Sequence, residues 1–238
     1  MSERDWAGEL ERYLRESFAE LCATVGQAVP FSGLRINPPL GKEEAQYFLL
    51  GLEETLFAVD DQGYVQSELL SASVHARTEQ NSYRIFSHEP TTPRLLRENL
   101  CQLATASRLI LKRGWLKRHV ALEPGNKEHR ATAQGADLLV RSATGQILIW
   151  VEVKRSAVEL EKLIADLRAC SRRGPHAHED CGFPQNHPRY EFCLSHQPTY
   201  LWAVAPDAEI GFKLEYEHGR LELTELTSLP PRSLIELE

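Results

Sequence analysis

The chain has no uninterrupted apolar run of about eighteen residues, the length a helix would need to cross a bilayer. Its opening, Met1-Ser2-Glu3-Arg4-Asp5-Trp6, lacks a basic stretch followed by an apolar one, so no secretion signal is read there and a cytoplasmic location is expected. No repeat or low-complexity segment is visible. Cys22, Cys101, Cys170, Cys181 and Cys193 are an odd number in a chain without a visible export signal, which argues against a disulfide framework and leaves reduced thiols or metal ligands. Positive charge is not in overall excess either: 27 Lys and Arg stand against 34 Asp and Glu, a net charge of −7 that by itself disfavours a nucleic-acid partner.

What is present is enough apolar material, 42% of 238 residues, to bury a sizeable core as one large domain or as a main domain with a smaller N-terminal part. The charge is also uneven. Between Arg94 and Arg173 there are 16 Lys and Arg against 8 Asp and Glu, a local +8 within an acidic protein. That segment is suited to a polyanion, because Arg and Lys supply phosphate contacts; the alternative is a set of solvated helix faces.

Spacing of apolar residues predicts a helix over 3–24, with Ser2 as its cap, and a second over 42–52. A hairpin is expected around Asp60-Asp61-Gln62-Gly63, and strand-like pieces over 73–77 and 82–87. A boundary is placed near residue 90. Thr92 and Pro93 then predict the start of a long helix ending before Gly114. Strands follow over 115–122, 136–141 and 146–154, separated by a polar loop at 124–134 and the turn Ser142-Ala143-Thr144-Gly145. A helix over 156–170, a His- and Cys-rich insertion at 171–198, and strands over 200–205, 210–217 and 220–225 complete the order.

The most informative stretch is Ile147 to Val151, continuously apolar and rich in β-branched residues, followed by Glu152-Val153-Lys154. It reads as a central strand buried on both faces that ends in charge. If Thr144-Gly145 is a two-residue hairpin loop, Asp137 lies directly opposite Glu152, close enough for both carboxylates to hold one cation, and Lys154 projects from the same face. A three-residue loop with Gly145 in the left-handed region would put the two acids on opposite faces unless a bulge compensated. A hard divalent cation such as Mg2+ takes one or two carboxylates plus substrate phosphate, and lowers the pKa of a bound water. Lys154 would orient that water or stabilise developing charge, so the three residues suit phosphodiester hydrolysis.

Gly135-Ala136-Asp137 and Glu152-Val153-Lys154, with the helix, three-strand, helix, strand order over roughly 93–205, resemble the PD-(D/E)xK, or restriction-endonuclease-like, nuclease superfamily. The family's proline is replaced by Ala136. The helix after the motif also has no Gln of the kind that RecB-like members carry. The resemblance implies an α/β (α+β) fold: a restriction-endonuclease-like core of a mixed central β-sheet flanked by helices over 91–238, with an N-terminal α+β region over 1–90 for recognition, regulation or dimerisation. It implies Asp137, Glu152 and the Val153 backbone carbonyl as ligands of Mg2+ or Mn2+, Lys154 as the catalytic lysine, and Glu98, by position on the preceding helix, as a fourth catalytic residue. The expected partner is nucleic acid, DNA before RNA, with a homodimer or protein partner left open.

Between Cys170 and His196 the chain carries three of its five cysteines and four of its nine histidines. Cys193-x-x-His196 with Cys181 and one of His176, His178 or His187 could bind Zn2+ tetrahedrally; Cys181, His187, Cys193 and His196 are taken as the candidate set. The spacing matches no standard finger, and a polar loop with partly buried thiols, or Arg172, Arg173, His176 and His178 on phosphates, are the other readings. Trp6, Trp115, Trp150 and Trp202 are expected to fill core, with Trp150 on the same strand face as Glu152. His119 and His129 are expected at the surface or in loops. The competing functions are a nuclease-like fold kept for binding alone, and a zinc-dependent interaction protein built around 170–196.

Overall fold

The computed structural model describes residues 4–70, 83–87, 93–123 and 136–235. Helix α1, Trp6–Thr24, buries Leu10, Leu14, Phe18 and Leu21 along one stripe. Its cap is Asp5, whose Oδ1 accepts from Gly8 N–H at 3.0 Å. Helix α2 spans Lys42–Glu53. The expected hairpin follows as β1, Ala58–Val59, paired antiparallel with β2, Val65–Gln66.

Helix α3, Arg97–Leu111, begins later than Thr92 and Pro93 suggest. Arg94–Leu95 instead forms a short strand, β4, against β3, Phe86–Ser87, and extended pairing keeps these residues out of the helix. The strand expected over 115–122 is likewise shortened to β5, Val120–Leu122, because Lys117–His119 closes into a single 3-10 turn. The expected strand at 73–77, the loop at 124–134, His129 and Gly135 lie outside the described residues.

The fold is mixed α+β. Its main sheet has six strands in the order β10, β9, β8, β7, β6, β5, with β6 at Leu138–Arg141, β7 at Ile147–Val153, β8 at Tyr200–Ala205, β9 at Ala208–Glu217 and β10 at Arg220–Leu226. Neighbouring strands are antiparallel except β7 and β8, which run parallel. Parallel neighbours need a crossover, and helices α4, Ala157–Arg173, and α5, His187–His196, lie within it. The short helix α6, Arg232–Ile235, closes the described chain.

All seven residues of β7 are buried, as its continuous apolar run predicts. Alternation sends Ile149, Val151 and Val153 into one core with α1, α2 and α3, while Trp150 joins Leu160, Leu163 and Phe192 in the core beneath α4 and α5. The first core runs from Leu10 to Ile235 and so includes residues on both sides of position 90. No helix among the described residues is long and apolar enough to cross a membrane.

The turn between β6 and β7 decides which face each acid takes. Ser142 N–H donates to Gln146 O at 2.8 Å, so the loop is the three residues 143–145, with Gly145 at φ +90°. That loop would put the register out by one, but β7 is bulged. Arg141 pairs with Ile147, whereas Val140 pairs with Ile149, leaving Leu148 as the extra residue. Beyond the bulge, Leu139 faces Trp150 and Leu138 faces Val151, which is the alignment a two-residue loop would have produced.

One buried ion pair ties α2 to α3. Arg97, at the start of α3, donates from Nη1 and Nη2 to the two carboxylate oxygens of Glu44 on α2 at 2.6 and 2.8 Å, and both side chains are almost wholly buried. Arg97→Ala leaves Glu44 as an uncompensated buried charge and is expected to cost about 3–5 kcal/mol, read as a lowered urea midpoint. The double variant Arg97→Met with Glu44→Leu is expected to recover most of that loss; equal destabilisation of single and double variants would contradict it.

Candidate functional site

Glu152, near the end of β7, has no exposed surface. A buried carboxylate must be paired, and Glu152 Oε1 accepts from Lys154 Nζ at 2.9 Å and from Arg189 Nε of α5. Its other oxygen, Oε2, is buried with no hydrogen-bond partner. Lys154 also donates to Val153 O at 3.0 Å and stands 3.8 Å from Glu98 Oε1 on α3. Asp137, one residue before β6, accepts at Oδ2 from Val153 N–H at 2.5 Å. The structure therefore brings Asp137, Glu152, Lys154 and Glu98 together.

Two residues that the motif does not point to complete this group. Glu123 follows β5 at φ +45°, and its N–H donates to Asp137 O at 2.9 Å. Its carboxylate accepts from Gln102 Nε2 at 3.1 Å, and the buried Tyr83 hydroxyl donates to Gln102 Oε1 at 2.6 Å. Arg189, the second, lies 37 residues beyond Glu152, within the His- and Cys-rich segment. A left-handed glutamate and an arginine outside any motif leave no local pattern; adjacency in the fold is what reveals them.

Acid outnumbers base here. Glu98, Glu123, Asp137 and Glu152 surround Lys154 and Arg189; the Glu152 charge acts on the other three acids, and Glu98 and Glu123 act on Asp137. Burial, then the Glu152 charge, pushes Asp137 well above the usual carboxylate range, with Lys154 opposing. Burial raises Glu123 to about 7 against the Gln102 hydrogen bond, and Glu98 moves up for the same first reason. Lys154 is raised: burial works against its charge, but Glu152 and Asp137 outweigh it. The lysine is thus held as a cation beside Asp137, Glu123 and Glu98, which bind protons more tightly than in water.

Beside these residues lies an open groove of about 540 Å3, lined by Lys154, Arg155, Glu159, Lys162, Gln185, Asn186 and Arg189. Four of its seven lining residues are cationic, and Lys154 and Arg189 belong to both groove and carboxylate group. Basic charge from the Arg94–Arg173 segment is therefore gathered in part at one place next to the acids.

The other candidates separate. Cys181 and His187 lie in a Cys/His cluster that could hold a metal ion, but their companions are Cys170 and His176, with the four ligand atoms within 4.8 Å of one another. Cys193 instead points into the core beneath the sheet, fully buried, where burial holds its thiol well above the usual range. His196 stacks on Phe192, ring centroids 4.6 Å apart, with Nδ1 against Phe192 O. Cys170 closes α4 from the core side, so helix geometry rather than sequence spacing brings it opposite Cys181. This is the only group of three or more His, Cys, Asp or Glu ligand atoms so gathered among the described residues. His178 bonds Pro184 O through Nε2, and Trp150 packs on Phe192 in the core. His119 is buried, against the surface or loop position expected.

Comparison with protein-family models, with curated proteins and with solved structures finds no match for this chain.

The raised Glu123 acid has a consequence for stability. Its folded state holds the proton more tightly than the unfolded state, so the folded protein binds more protons between about pH 4.5 and about pH 7 and loses stability as pH rises through that window. Glu123→Gln keeps an acceptor for Gln102 without the charge. In magnesium-free buffer its stability advantage over the native chain is expected to grow from pH 4.5 to 7.5, reaching on the order of 1 kcal/mol for this partly exposed group. A constant difference in urea midpoint across that range would contradict it.

Proposed function

We propose that the chain is a metal-dependent nuclease of the PD-(D/E)xK type, hydrolysing phosphodiester bonds in DNA, on a restriction-endonuclease-like core. The observation that supports this reading is the gathering of Asp137, Glu152 and Lys154 beside a basic groove: after its compensating bulge the β6–β7 register pairs Leu138 with Val151, and the next residue, Asp137, accepts from Val153 N–H.

The acids suit a hard divalent cation. Glu152 Oε2 is buried and unpartnered, Asp137 lies across the same strand pair, and the surrounding carboxylates exceed the cations that face them. Asp137 and Glu152, with the Val153 carbonyl, would hold Mg2+ or Mn2+. When bound, such an ion polarises a phosphoryl oxygen and makes a bound water acidic enough to attack at neutral pH.

The chain's own residues account for the rest. Lys154, kept protonated by Glu152 and Asp137, serves as a fixed positive charge for the pentacovalent phosphate and as a donor that orients the attacking water, not as a base. Glu152 Oε1 and Val153 O fix where that ammonium points, and Glu98, 3.8 Å away, adds a second carboxylate beside it. Lys162 and Arg189 supply groove charge for the phosphates on either side of the scissile bond.

One observation favours a binding role without cleavage: Glu152 Oε1 is already neutralised within the protein by Lys154 and Arg189. Calorimetry separates the two readings, since a module that only binds DNA has no need of a divalent ion.

Purified protein with Mg2+ or Mn2+ is expected to cleave DNA. Asp137→Asn and Lys154→Met should keep the native circular dichroism and lose about 100-fold or more in cleavage rate. Undiminished cleavage in both would sink the mechanism. Lys162→Glu should weaken DNA binding across all sequences and reduce the salt slope by about 1; unchanged affinity and slope would remove the groove from the account.

A further inference from the structure

The second cluster lies at the far end of α4 and does not overlap the carboxylate group. Cys170 is in the last turn of α4, His176 and Cys181 are in the segment that follows, and His187 is the first residue of α5. The two sulfurs are 3.6 Å apart. That is too long for a disulfide, whose sulfurs sit about 2.05 Å apart. Two thiolates on one tetrahedral zinc, each with Zn–S of about 2.3 Å, stand about 3.8 Å apart, close to what is found.

The imidazoles are set for the same ion. His176 Nδ1 lies 2.6 Å from Gly174 O, which fixes the proton on that nitrogen and leaves Nε2 as a lone pair. His176 Nε2 is buried and has no hydrogen-bond partner. His187 has no exposed side-chain surface, and its Nδ1 is buried with no hydrogen-bond partner. Glu191 Oε1 is 3.4 Å from His187 Nε2, placed to orient the ring as carboxylates and carbonyls orient metal-bound histidines. Unpartnered buried nitrogens converging with two buried thiols call for a partner, and one cation bound by all four supplies it.

We propose that Cys170, His176, Cys181 and His187 bind one structural Zn2+, and that this ion clamps the segment between α4 and α5 so that Arg189 reaches Glu152. Four protein ligands leave no open position, so the site has a structural and not a hydrolytic role. Binding converts both thiols to thiolates, and their protons are released to solvent. The clamp reaches the carboxylates through a short lever: Arg189 lies two residues after His187, on the first turn of α5, and its guanidinium donates to Glu152 Oε1. The zinc assignment stands whether or not the carboxylate group cleaves DNA.

The test is metal analysis of the full chain purified without chelator, with Co2+ exchange to read the ligands. About one zinc per chain is expected. Co2+ should give the thiolate charge-transfer and ligand-field bands of a tetrahedral site with two sulfurs. Cys181→Ser and His176→Ala should each lower zinc retention several-fold, whereas His196→Ala should leave it at the native level. Zinc removal should speed protease cleavage between residues 174 and 187 in the native chain. Absence of zinc and of Co2+ binding, a Cys170–Cys181 disulfide under reducing purification, or equal zinc loss in His196→Ala would each overturn the site. A native zinc content with cleavage unchanged by its removal would overturn the clamp.

Discussion

A carboxylate taken wholly out of water must find cations, and the rest of this structure is arranged around Glu152 meeting that demand. The strand that carries it is buried on both faces, so its charge can be answered only from its ends and from the elements packed on it. Lys154 reaches back from two residues along, and Arg189 comes across from α5. Asp137 is brought alongside by strand pairing, its carboxylate tied to the Val153 N–H. The Arg97–Glu44 pair holds α3 to α2, and Glu98, the next residue of α3, stands 3.8 Å from Lys154.

The electrostatic balance is left unfinished. Lys154 and Arg189 converge on one oxygen of Glu152 while the other has no partner, and Asp137, Glu123 and Glu98 all hold protons more tightly than they would in water. Such a cluster costs stability as it stands, and a site built for folding alone would replace the acids with apolar side chains. A bound cation relieves the cost directly. The same site opens on one side to a groove with mostly basic walls, so its excess of acid sits beside the charge a polyanion needs.

Much of this was legible in the sequence where one physical cause dominates. Continuous β-branched residues over 147–151 specify a doubly buried strand, and a charged pair at its end specifies something to be explained. The register was legible for a reason only half contained in the local residues. Gly145 adopts positive φ and makes a three-residue loop, which alone would turn Asp137 away, and the bulge at Leu148 restores the alignment. No residue type at 148 announces a bulge; the need to keep Trp150 and Leu139 in one core selects it. The start of α3 departs from its sequence signal because strand pairing of Arg94–Leu95 overrides a good cap and proline.

The Cys and His residues were legible as a cluster but not as a set. Sequence distance favours Cys193 and His196, a pair three apart, whereas the turn after α4 brings Cys170 and His176 to Cys181 and His187. Glu123 and Arg189 were invisible because nothing near them in the chain shares their role. The central claim, that Asp137 and Glu152 together form a divalent-cation site, is tested most directly by the anomalous difference density of crystals grown with Mn2+. The account predicts a peak bonded to both carboxylates, with Glu152 Oε2 among its ligands. Full Mn2+ exposure with no peak there, and Arg189 still paired with Glu152, would contradict it.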